Sequence, residues 1–188
     1  MPRTIHMLAG LALVAGCSGD RSVTRPARIQ PTVASESHTI VSPDVAQDIA
    51  TLRSVTAAFH DITVAAAAGW STPITGCMAD VAGGMGYHYG NVGLIDGAVR
   101  VDQPELLMYE PGKNGQMTLV GVEYIIPLSE WSSSAKPHLF GQDFHVNAQF
   151  QVWALHVWAW KENPNGIFAD WNPRVSCEYA SATTTTAH

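Results

Sequence analysis

Two apolar runs, Leu106 to Tyr109 and Met117 to Ile126, flank Pro111-Gly112-Lys113-Asn114-Gly115, whose Asn-Gly step is the turn chemistry of a β-hairpin. The second run is apolar at odd and even positions alike, which is the pattern of a central strand covered on both faces. Glu123 interrupts it. A carboxylate on such a strand needs a partner, because burying it unpaired costs several kcal/mol.

The surrounding segments are read from periodicity and punctuation. Pro43 and Asp44 supply a helix start, and Val45, Ile49, Leu52, Phe59, Ile62 and Ala66 recur at three- to four-residue spacing. A helix over residues 44–68 is expected, closed by Gly69. From Trp70 to Glu105 glycine and small residues dominate, and Gly83-Gly84-Met85-Gly86 leads into Tyr87-His88-Tyr89; this reads as loop with one short strand. Ser129 to Gly141 is polar and broken by Pro137, and Phe144 to Lys161 is an apolar and aromatic stretch that holds one or two strands. The expected fold is α+β: a long N-terminal helix packed on a small antiparallel β-sheet, loop-rich, in one domain over residues 44–180. With 46% hydrophobic residues and six tryptophans, 188 residues suffice for one such core.

Charge narrows the partners. Ten Lys and Arg against sixteen Asp and Glu give a net charge of -6 with no basic run, which excludes a general grip on nucleic acid. No stretch of about twenty consecutive apolar residues is present to span a bilayer.

Five histidines fall inside the domain. If Gln151 to Lys161 is a strand, alternation puts His156, Trp158 and Trp160 on one face. The same alternation from Phe144 puts His145, Asn147, Gln149 and Gln151 on a polar face that can line a cleft. His88, Glu123, His145 and His156 are therefore the candidate ligands of one divalent transition metal, zinc, copper, iron or manganese, since neutral imidazoles and a carboxylate suit those ions. The competing reading leaves each histidine satisfied separately in the core or at its rim, with Glu123 bonded to a Tyr or Trp. His60 follows Phe59 on the helix and reads as the edge of its packed face. Tyr87, Tyr89, Trp158 and Trp160 are candidate pocket-lining residues, and flat aromatic surfaces would equally serve a metal-free ligand-binding or structural module. The motifs of serine hydrolases, phosphate cradles, helix-borne zinc sites and EF-hands are absent, and spacing selects no pair among Asp80, Asp96 and Asp102 for glycoside hydrolysis.

Met1 to Cys17 has the layout of a secretion signal: Arg3, an apolar run from Met7 to Val14, then small residues. Its last four residues, Val14-Ala15-Gly16-Cys17, resemble the lipobox of bacterial lipoproteins. The resemblance implies cleavage after residue 16, lipidation of Cys17, and a Ser-, Thr- and Pro-rich tether to residue 43 that hangs the domain from a membrane. It places the protein in the bacterial cell envelope, at the outer membrane in a Gram-negative cell. Lipidation uses Cys17, which leaves Cys77 and Cys177 in an oxidising compartment, where one disulfide is expected. Residues 181–188 read as a disordered tail. The strings His60-Asp61, Gly84-Met85-Gly86-Tyr87-His88-Tyr89, Leu119-Val120-Gly121-Val122-Glu123-Tyr124, Leu155-His156-Val157-Trp158 and Ala169-Asp170-Trp171-Asn172-Pro173 resemble a group of uncharacterised secreted bacterial proteins. That group supplies no activity and no catalytic residues to carry over.

Overall fold

The expected hairpin is present and is the centre of a larger sheet. The computed structural model describes residues 42–181, so the signal segment, Cys17, most of the tether and the end of the tail lie outside the described residues. Strands β3 (Leu106–Pro111) and β4 (Met117–Pro127) pair antiparallel, and the turn between them closes with Gly112 N–H donating to Gln116 O at 2.7 Å. On one side follow β2 (Gly83–Gly90) and β1 (Thr72–Asp80); on the other, β8 (Val152–Val157) and β7 (His145–Asn147). The order is β1-β2-β3-β4-β8-β7, antiparallel throughout, with β5 (His138–Leu139) and β6 (Gln142–Asp143) forming a separate two-stranded ribbon.

The α+β expectation is thereby corrected: the domain is mostly β, a curled six-stranded half-barrel, with one principal helical segment of 18 residues. Two misreadings account for the difference. The glycine-rich segment read as loop forms β1 and β2, because glycine serves close backbone approach there: Gly86 has φ +84°, and a side chain on it would strike the Tyr109 carbonyl. The helix expected over 44–68 breaks at Asp61. α1 (Pro43–Thr56) continues through a 3-10 turn (Ala57–His60), and Asp61 then starts the separate α2 (Ile62–Ala67) by accepting from Thr63 N–H at 2.9 Å. Gly69 closes α2 at φ +116°, as expected.

Alternation along β3, β4 and β8 sorts their side chains between two faces. On one, Leu107, Tyr109, Val122, Tyr124, Ile126, Leu155 and Val157 pack with Ile49, Leu52 and Ala65 of the helices. On the other lie Leu106, Met108, Ile125 and Ala154 together with His88, Glu123 and His156. A register shift between Met108 and Tyr109, opposite Gly121 and Leu119, turns Leu119 to the helical side and Val120 to the other. Cys77 on β1 and Cys177 near the C-terminal end form the disulfide, over a sequence separation of 100. Closing a loop of that size stabilises the fold by about 4 to 5 kcal/mol in the chain-entropy account. Among the described residues no helix is long and apolar enough to cross a membrane.

Candidate metal centre

The face away from the helices carries His88, Glu123 and His156, all buried. His88 projects from β2, Glu123 from β4 and His156 from β8, where Glu123 and His156 are direct cross-strand partners. His88 Nε2 lies 3.5 Å from Glu123 Oε2, and His156 Nε2 lies 3.6 Å from Glu123 Oε1. One donor atom from each residue falls within 4.8 Å of the other two. The exposures are 2% for His88, 7% for Glu123 and 3% for His156, so the three are taken almost entirely out of water.

The imidazoles are oriented from behind. Thr75 Oγ1 on β1 is 2.8 Å from His88 Nδ1, and Asp170 Oδ1 is 3.3 Å from His156 Nδ1. An ionised carboxylate only accepts, so His156 Nδ1 carries a proton and, in the neutral imidazole, Nε2 carries the lone pair. That lone pair is turned inward with no hydrogen-bond partner among the described residues. Separations of 3.5 and 3.6 Å are too long for strong hydrogen bonds but suit donors that share an ion. An imidazole held at Nδ1 and open at Nε2, as in His156, is the arrangement that metal-binding histidines adopt, and His88 matches it when its Nδ1–H donates to Thr75 Oγ1.

Electrostatics divide the pair. Burial pushes the His88 imidazole down to about 4, against the pull of Glu123, so it stays neutral at physiological pH, the form that ligates. Burial acts the same way on His156, but the charge of Glu123 and the hydrogen bond with Asp170 outweigh it and raise its pKa above the usual value. The hydrogen bond from His156 holds Asp170 below the usual carboxylate range, despite partial burial.

The three residues line a cavity of about 420 Å³. Of the four ligands expected from the sequence, His145 stands apart from the trio. It lines the same cavity, half-exposed, with Nε2 3.7 Å from Asp170 Oδ1. Asn147 and Gln149 of the expected polar face line it too.

The expected aromatic lining is corrected. Tyr87 and Tyr89 alternate with His88 and so point to the opposite face, where Tyr89 packs edge-on against Tyr109 at 5.8 Å. Trp158 is buried against Met108, Val120 and Val175, with Nε1–H donating to Ala169 O at 2.6 Å. The strand ends at Val157, so alternation no longer governs Trp160, which turns to the helical side and donates to Thr56 Oγ1 at 3.1 Å. The indole lining the cavity is Trp171. Sequence reasoning missed Thr75 and Asp170 as well, since both act on the imidazoles from segments whose partners only the tertiary fold supplies. His60 packs edge-on against Trp160 at 4.4 Å and His138 pairs with Asp143 at 2.9 Å, both away from this centre.

A larger groove of about 920 Å³ runs between α1 and the 165–169 segment, and among the described residues Arg53 is its sole ionisable lining residue. It offers no comparable donor set. No protein family, curated protein or solved structure matches the chain.

Proposed function

We propose that the domain is a metal-binding module of the bacterial cell envelope, holding one divalent transition metal of the zinc, copper, iron and manganese group on His88, Glu123 and His156. The observation that carries the reading is the buried, unpartnered Nε2 of His156, aimed with His88 Nε2 at a carboxylate that sits beyond strong hydrogen-bond reach of either. A metal would satisfy all three groups at once. His145, with Asp170, stands at the rim of the same cavity and is assigned to the approach rather than to the ligand set. Envelope location rests on the lipobox-like Val14-Ala15-Gly16-Cys17 and is consistent with the disulfide; the membrane is then the partner, through lipidated Cys17.

One preparation tests both parts. The full chain is exported without a histidine tag and analysed for metal beside a His88→Ala, His156→Ala double variant, with circular dichroism to confirm that each is folded. About one equivalent of metal, lost in the variant, is expected. A folded protein that stays empty after exposure to zinc, copper, iron and manganese salts sinks the metal reading. The same cells, fractionated, are expected to hold the protein in membranes and to release it as Cys17→Ser; wild-type protein in the soluble fraction sinks the anchor.

A further inference from the structure

We propose that the cavity takes an apolar monocarboxylate, whose carboxylate fills the open coordination position of the metal while its hydrocarbon body lies along the cavity wall. The inference rests on the metal reading above and adds the class of ligand.

Three features support it. Three protein donors are fewer than first-row divalent ions take, so at least one position is left for an outside group. The further carboxylate lining the cavity, Asp170, is occupied behind His156. The donors themselves line the 420 Å³ cavity, so the open position faces a space within the usual size range of small-molecule sites. Beside the polar rim of His145, Asn147 and Gln149, the wall is apolar at Ile74, Met78, Met85, Ile95, Ile125 and Phe150. Water has few partners along such a wall, whereas a hydrocarbon chain is stabilised there.

Charge selects the head group. Two neutral imidazoles and one carboxylate leave the ligand sphere of a divalent ion with a net charge of about +1, while Asp170 at the rim is held against His156 and His145. A monoanion neutralises it; a cation is repelled, and a dianion would leave an unpaired charge against the apolar wall. The wall then selects the tail.

Cobalt(II) gives the readout, because its visible absorption responds to a change of ligand. The full chain is loaded with cobalt and titrated with octanoate, acetate and octylammonium. Octanoate is expected to shift the spectrum with an affinity on the order of a hundredfold above that of acetate, through its buried methylenes, and octylammonium to leave it unchanged. Phe150→Ser, at a partly exposed position, is expected to weaken octanoate about tenfold and leave acetate alone. A cobalt spectrum indifferent to octanoate overturns the proposal while leaving the metal site standing, and so does acetate or octylammonium matching octanoate. Failure of the folded chain to take up cobalt overturns the proposal, and failure to take up zinc, copper, iron and manganese as well overturns both.

Discussion

The two faces of the sheet solve the problem of burial in opposite ways. On the helical face the buried polar groups are paired: Tyr109 Oη donates to Phe59 O at 2.7 Å, Tyr124 Oη to Val101 O at 2.6 Å, and Trp70 Nε1 to Pro104 O at 3.0 Å. On the cavity face His88, Glu123 and His156 are buried equally well, yet their open atoms converge on one another instead of on backbone partners. A fold that can satisfy phenols and indoles so fully has no structural need for an unsatisfied imidazole. The difference separates two kinds of burial: one face pairs its polar groups with backbone, and the other gathers a His-Glu-His group that could hold a metal.

The largest expected break in this contrast is Leu107→Ala, on the fully buried helical side. Loss of the side chain should cost about 2 to 5 kcal/mol in denaturant melts. Metal stoichiometry of the folded fraction should not change; loss of metal in protein that is still folded would show that the two faces are not independent. Next in size is Asp170→Asn, which keeps the shape but removes the charge behind His156. Metal affinity is expected to fall about 10- to 100-fold, as read by competition with a chelator, with little change in the melting temperature of the metal-free protein. An unchanged affinity would remove Asp170 from the site.

The smallest effect concerns a second buried glutamate. Glu105 is 1% exposed, and its Oε2 accepts from Ile125 N–H at 3.1 Å. Burial raises its pKa to about 8, although two backbone hydrogen bonds pull the other way. The folded state therefore keeps a proton that the unfolded chain loses near pH 4.5, and stability falls as pH rises from there toward 8. Glu105→Gln should flatten that decline in thermal melts of the metal-free protein between pH 5 and 8. Parallel curves for the two proteins would show that Glu105 ionises normally. Glu105 and Glu123 thus sharpen the contrast within one residue type: the first is held by backbone donors, the second faces two imidazoles.

Much of this was readable in the sequence because strand alternation is strict. Apolar residues on both sides of Glu123 marked a central strand, and the same parity placed His156 on the face that the structure shows. Parity fails where a strand ends or shifts, which is why Trp160 and the Leu119–Val120 step were not legible. The glycines of β2 hid a strand, since their low strand propensity reflects a missing side chain and not the close approach to Tyr109 that makes glycine necessary there. Asp61 hid a helix break, because the apolar spacing continues across it while its carboxylate caps a new helix. Thr75 carried no local signal, and nothing near Asp170 in sequence pointed to His156, for each is defined by the imidazole it orients.

The three donors reside on three strands, and β4 must be paired with β8 before Glu123 and His156 face each other. Nothing resembling the site exists in a chain whose sheet is still open. On the proposed reading, an ion held there would bind after strand pairing, as a clasp on a finished sheet rather than as a nucleus for it. Its influence would then fall on how slowly the domain comes apart, and hardly on how quickly it assembles.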